Sequence, residues 1–193
     1  MNLNSGSSSV SGELYIISTP IGNLDDMTIR AIETLKSCDI ILAEDTRHTR
    51  ILLQHFEINV KMAAYHAFNE HGKTQEVLDR VLAGAKVGLV TDAGTPAISD
   101  PGFMLVRECI RRGVEVECLP GATAFVPALV NSGLAADHFI FEGFLPHKKG
   151  RQTKINQIVD NEYTTILYGS RLLCLKRICC ILKLTQKQKI DCR

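Results

Sequence analysis

Two hydrophobic rhythms alternate along this chain. Short, nearly continuous apolar runs at 14–18, 39–43, 62–65, 87–91 and 114–119 have the length and make-up of buried strands. Between them apolar positions recur at helical spacing: Ile29, Ile32 and Leu35, then Ile51, Leu52 and Phe56, then Val77, Leu78, Val81 and Leu82. Further helices are expected across 103–111 and in a small-residue stretch ending near Ser132, and Asp25 or Asp26 is the expected cap of the first helix. Strand alternating with helix in this way predicts an α/β domain whose mostly parallel sheet is covered on both faces. A break at 133–137 is followed by a strand at 139–144, a basic turn, a helix over 151–160 and a strand at 164–168. The expected organisation is a flexible Ser/Gly-rich leader over 1–12, an N-terminal α/β domain over 13–133, and an incomplete second α/β domain over 134–193 with an atypical tail at 169–193.

Glycine turns follow three of the strands, at 20–23, 92–96 and 120–122. Turns at the carboxyl ends of parallel strands gather at one edge of the sheet, where open α/β folds bind ligands. The richest stretch is 87–102, VGLVTDAGTPAISDPG, in which small residues allow close backbone approach and two carboxylates stand without a lysine. Such a loop suits a neutral or cationic small molecule better than a polyphosphate. No GxGxxG follows the first strand and no GxxxxGK[ST] occurs, which speaks against a dinucleotide or a P-loop nucleotide. One turn of this kind is what any α/β protein needs; three together turn the reading toward a nucleoside-type cofactor.

Two basic segments have a plain and a functional reading. Glu44-Asp45-Thr46-Arg47-His48-Thr49-Arg50 is either a capped helix start or a site where Arg47, His48 and Arg50 grip a phosphate backbone. Residues 147–151, with Lys148, Lys149 and Arg151, are either a solvated loop or an RNA contact. His66 and His71 fit no common ligand spacing, so no metal is expected. No serine or cysteine triad is recognisable.

Charge and cysteine use narrow the picture. The 193 residues are 45% hydrophobic and carry a net charge of +1, but seven of the Lys and Arg residues and only one acid fall in 169–193. An RNA partner would therefore be held by local basic clusters, because no global positive field exists. No apolar run approaches the ~18 residues of a membrane span. The leader has no charged or apolar signal region, and the seven cysteines are irregularly spaced, which together predict reduced thiols in the cytoplasm.

The blocks LYIISTPIGNLDD (14–26), AEDTRHTR (43–50), GLVTDAGTPAISDPG (88–102), LPGA (119–122) and EGFLP (142–146) resemble the bacterial ribosomal RNA small subunit methyltransferase I family, within the tetrapyrrole-methylase superfamily. The resemblance covers about residues 13–168. It implies S-adenosylmethionine as methyl donor, the ribose 2′-hydroxyl of a cytidine in 16S rRNA of the small ribosomal subunit as acceptor, a homodimer, and a cofactor cleft between two α/β domains. Pro20, Ile21, Gly22, Asn23, Asp92, Ala93, Gly94, Thr95, Pro120, Gly121, Ala122, Glu142, Gly143 and Phe144 match the blocks that line that cleft. The ribose hydroxyl needs help losing its proton; Asp45 and Asp92 are the candidate bases, with a water as the alternative.

After Tyr168 the resemblance stops. The expectation is a truncated or out-of-frame C-terminus, an unfinished second sheet, and donor binding and activity weakened or lost. The rival reading of the tail is an amphipathic basic helix with Leu172, Leu175, Cys179 and Leu182 on one face. Two other functions stand beside the leading one, a methyltransferase for a tetrapyrrole precursor and a non-catalytic nucleoside or RNA-binding module.

Overall fold

Side chains alternate across a strand, so a strand covered on both faces needs apolar residues at every position. Strand β1 (Glu13–Ile16) sends Leu14 and Ile16 into one core, while the following Ile17 enters the other. Strand β4 (Lys86–Val90) divides Val87 and Leu89 from Val90 in the same way. In the computed structural model, which describes residues 12–169 and the backbone of 180–182, these strands join β2 (Ile40–Ala43), β3 (Met62–Ala64) and β5 (Glu115–Cys118) in one sheet of order β3-β2-β4-β1-β5. Every pairing in it is parallel.

Helices α1 (Ile29–Ser37) and α2 (Thr46–His55) cover one face through Ala31, Leu35 and Leu53. Helices α3 (Glu70–Leu82) and α4 (Phe103–Arg111) cover the other through Val77, Leu78, Val81, Leu105 and Cys109. Burial of each such large aliphatic chain contributes about 1.5–3 kcal/mol. Thr28 caps α1, its side chain accepting from the Ala31 N–H at 3.1 Å. The expected caps, Asp25 and Asp26, instead sit in a short 3₁₀ turn, Leu24–Asp26, capped by Asn23. A threonine hydroxyl directly before the helix reaches the free N–H groups, and acids two or three residues earlier do not.

The chain divides into two compact units, Met1–Ala122 and Thr123–Arg193. The sequence suggests a boundary near 133; the divide lies earlier because α5 (Phe125–Ser132) buries Leu129 against Ile166 of the second unit. That unit also contains β6 (Phe139–Phe144), α6 (Arg151–Val159), β7 (Thr164–Tyr168) and β8 (Cys180–Leu182). Strands β6 and β7 pair in parallel, and β8 runs antiparallel to β7. Residues 180–182, which the amphipathic-helix reading placed in a helix, form a strand, because their backbone groups pair with β7. Leu172, Leu175, Cys179 and the leader 1–11 lie outside the described residues. Among the described residues no helix is long and apolar enough to cross a membrane.

Leu105 is fully buried, whereas Ile110 on the same helix is 62% exposed. Leu105→Ala is expected to cost about 2–5 kcal/mol of unfolding free energy. Ile110→Ala should stay within about 0.5 kcal/mol. Denaturant unfolding of the two variants checks both values.

Candidate active site

Neighbouring strands β1 and β4 pass the chain to opposite faces of the sheet, β1 into α1 and β4 into α4. Loops leaving such a pair part from each other and open a crevice at the carboxyl edge. Here the two loops are tied across it. The Thr19 N–H donates to the Gly94 carbonyl at 2.9 Å, and the Gly94 N–H donates back to the Thr19 carbonyl at 3.0 Å. The Thr19 hydroxyl donates to the Thr91 carbonyl at 3.0 Å. The third turn joins through hydroxyls: Thr95 Oγ1 donates to the Ala122 carbonyl at 3.3 Å, which leaves Ser18 Oγ to donate to Thr95 Oγ1 at 2.8 Å. The three glycine turns thus form one joint.

Two glycines are required there. Gly94 has φ +89°, a backbone state that L side chains rarely adopt. A Cβ on Gly121 would lie 2.6 Å from the Ser18 Cβ, so the third turn reaches the first only without a side chain.

Carboxylates crowd the same edge with different duties. Asp45 is the N-cap of α2: its Oδ1 accepts from the Arg47 N–H at 2.9 Å, and the Arg47 guanidinium forks onto both oxygens at 3.1 and 2.7 Å. The Arg47 side chain and the backbone bonds hold this carboxyl well below the usual carboxylate range. Asp92 accepts the Asp45 N–H on Oδ1 at 3.2 Å, and partial burial, with Glu44 nearby, raises its pKa. Glu44 Oε2 takes the Thr91 hydroxyl at 2.6 Å. Burial and Glu44 push Asp100 up to about 6.

A cavity of about 270 Å³ opens beside Asp92. Thr19, Pro20, Gly22, Asn23 and Leu24 of the first turn form one side. His48, Ile51, Leu52 and His55 of α2 form the other.

Of the residues expected to act together, Pro20, Gly22, Asn23 and Asp92 line this cavity, and Ile21 Cγ2 is 3.6 Å from the position of a Cβ on Gly94. Gly94, Thr95 and Ala122 belong to the joint, with exposed Ala93, Pro120 and Gly121 along it. The basic set on α2 divides: His48 enters the cavity wall, Arg47 is tied to Asp45, and Arg50 is exposed. In the second unit Glu142 pairs with Lys154 at 2.6 Å, Gly143 follows a break in the β6 register, and Phe144 packs on the Tyr168 ring. Lys148 and Lys149 are exposed, and Arg151 begins α6. Among the described residues no cluster of His, Cys, Asp and Glu is placed to hold a metal ion.

Ser18, Glu44, Thr91 and Asp100 belong to the edge, and the first three carried no sequence signal of their own. Ser18 and Thr91 read as ordinary strand ends, and Glu44 as a helix-start acid. The SDPG turn drew attention to Asp100, but nothing in it revealed the burial that changes its acidity.

Asp100 gives a signed pH effect. Unfolded, it ionises near 3.8; folded, near 6. The folded state therefore keeps a proton that the unfolded chain has released, and the stability linked to this group is lost as pH rises through the interval. Asp100→Asn removes the effect. The melting temperature of the variant, relative to wild type, should climb between about pH 4 and about pH 7. A constant difference across that range would contradict the assignment.

Residues 13–188 match the model of the tetrapyrrole (corrin/porphyrin) methylases, a match that runs past Tyr168. Ribosomal RNA small subunit methyltransferase I of Synechocystis sp. is 54% identical over 158 residues, 81% of this chain and 57% of that protein. The protein of that name from Escherichia coli O157:H7 is 50% identical over 160 residues, 82% of this chain and 56% of that protein. The one from Thermotoga maritima is 43% identical over 159 residues, 82% of this chain and 72% of that protein. The chain spans little more than half the length of the first two. Among solved structures, a diphthine synthase superposes with TM-score 0.65 at 14% identity, covering 81% of this chain and 64% of that one. A uroporphyrin-III-C-methyltransferase from Thermus thermophilus does so with TM-score 0.54 at 19% identity, covering 81% and 67%. The two superpositions establish the fold, and the family match and the relatives at about half identity establish membership: the chain belongs to the tetrapyrrole methylase family.

Proposed function

We propose that this chain is part of an S-adenosylmethionine-dependent methyltransferase acting on the ribose 2′-hydroxyl of a cytidine in the RNA of the small ribosomal subunit. The observation that carries the reading is the Thr19–Gly94 joint, which draws three small-residue turns to the carboxyl edge of the sheet beside a raised-pKa carboxylate. The residues present fit the donor. The turns offer backbone groups, hydroxyls and a carboxylate and, over 18–23, 91–96 and 119–122, no Lys or Arg, which suits a cation. When bound, S-adenosylmethionine supplies an electrophilic methyl group on a sulfonium. Ala93, Gly94 and Thr95, with Pro120, Gly121 and Ala122, are the groups that would hold it. Ribosomal RNA is chosen over a tetrapyrrole because relatives at about half identity carry that name, whereas the likeness to the uroporphyrin enzyme is one of fold. A ribosomal substrate places the work in the cytoplasm.

The chain's own residues divide the chemistry. Asp92 accepts the proton of the ribose hydroxyl; its raised pKa makes it a stronger base than an exposed carboxylate. Asp45 is excluded from that role because the α2 cap and Arg47 engage both of its oxygens. Positioning of the hydroxyl against the donor supplies much of the remaining rate. Arg50, Lys148 and Lys149, all exposed, are the cations available for RNA phosphates.

Two measurements test the reading. Isothermal titration with S-adenosylmethionine should detect binding to the chain and at least a tenfold loss in Gly121→Val, whose side chain collides with Ser18. Methyl transfer to undermethylated small ribosomal subunits should fall about 100-fold or more in Asp92→Asn. Its rise with pH, set by ionisation of Asp92, should disappear in that variant. Asp45→Asn, which keeps a capping side chain at the start of α2, should leave the pH profile unchanged. Transfer by Asp92→Asn at the wild-type rate would remove Asp92 from the mechanism.

A further inference from the structure

None of the six residues named above to hold the methyl donor, Ala93–Thr95 and Pro120–Ala122, lines the cavity between residues 19–24 and α2, which borders Asp92. A nucleotide whose 2′-hydroxyl reaches Asp92 carries its base on the adjacent sugar carbon. That base must therefore lie within one sugar ring of the carboxylate, where this cavity opens. At about 270 Å³ the space is close to the lower end of small-molecule sites, which begin near 300 Å³, and is suited to a single base.

Its walls fit a base in two ways. His48, Ile51 and His55 follow each other at i, i+3 and i+7 on α2 and present two imidazoles around an aliphatic chain. Ile51 is 69% exposed and Leu24, on the other side of the cavity, is 42% exposed, an apolar pair left open to solvent. Bases in single-stranded RNA stack on such imidazole and apolar surfaces. The edge is served by Asn23. Its Oδ1 is committed to the Asp25 N–H at 3.2 Å, so its amide nitrogen is the group left to donate to a ring nitrogen or carbonyl of the base. Both walls are fixed in advance: the 3₁₀ turn closes through the Met27 N–H on the Leu24 carbonyl at 3.1 Å, and α2 is held by its Asp45 cap.

We propose that this cavity receives the base of the acceptor nucleotide, turned out of its RNA stack, with His48, Ile51 and His55 on its face and Asn23 on its edge. The proposal rests on the methyltransferase reading above, because that reading places the 2′-hydroxyl at Asp92. It makes the enzyme a reader of an unpaired nucleotide, since a stacked and paired base cannot enter.

The test compares two short single-stranded RNAs that differ only in carrying a cytidine or an abasic sugar at one position. Binding to the full chain is read by fluorescence anisotropy. The cytidine RNA should bind about tenfold more tightly than the abasic one. Ile51→Trp fills the cavity from its exposed rim, and Asn23→Ala removes the edge donor. The tryptophan variant should bind the cytidine RNA as weakly as wild type binds the abasic RNA, and the abasic RNA no worse than wild type does. Asn23→Ala should lose a smaller part of the preference. Equal affinity of wild type for the two RNAs overturns the proposal, and so does an Ile51→Trp loss of the same size for both. A parallel S-adenosylmethionine titration reads the underlying function separately. Donor affinity within twofold in Ile51→Trp supports separate sites for donor and base. Absence of donor binding in wild type overturns the methyltransferase reading, while the RNA comparison still reports on the cavity.

Discussion

Two backbone hydrogen bonds between Thr19 and Gly94 hold this edge of the molecule together. They cross the crevice that a parallel sheet opens wherever adjacent strands send the chain to opposite faces. Untied, the loops after β1 and β4 would be separate surface turns. Tied, they bring a cavity, a carboxylate and the third turn within reach of one another. The joint depends on residues without bulk, Gly94 for its positive φ and Gly121 for its approach to Ser18. The Ser18, Thr19 and Thr95 hydroxyls satisfy polar groups that the close approach shields from water.

Neighbouring carboxylates at this edge show how environment separates equal chemistry. Asp45 and Asp92 are linked by one hydrogen bond, yet one is pulled well below the ordinary range by a guanidinium and a helix start, and the other is raised by burial and Glu44. The first is structural: it starts α2 and fixes the wall that carries His48, Ile51 and His55. The second, partly buried beside the cavity, is the carboxylate to which the proposed function gives the proton. Such a divergence between adjacent titratable groups is what the proposed proton transfer requires.

Membership in the tetrapyrrole methylases and the geometry of the edge support each other without being the same argument. The superposed structures carry different names, diphthine synthase and uroporphyrin-III-C-methyltransferase, so the fold leaves the acceptor open. What the edge of this chain offers is local: a first turn reading Pro20-Ile21-Gly22-Asn23, a histidine-bearing second helix, and between them a cavity of about 270 Å³.

Much of this was legible in the residues. The strands and helices follow from apolar periodicity, and the gathering of the turns at 20–23, 92–96 and 120–122 follows from their shared place after parallel strands. Local rules settle such features, because strand and helix pattern depend on neighbours in sequence. The sequence could not tell which of Asp45 and Asp92 carries the guanidinium and which is partly buried beside Glu44, because the answer lies in a side chain folding back and in burial beneath other loops. Nor could it separate His48 from Arg47 and Arg50, or place α5 with the second unit, because those outcomes depend on which surfaces meet in space. The chain by itself determined its layers and the rim where its chemistry collects. Only the tertiary structure decided which groups on that rim cap a helix or tie the loops and which line the cavity, since hydrogen-bond partners and desolvation come from residues far apart along the chain.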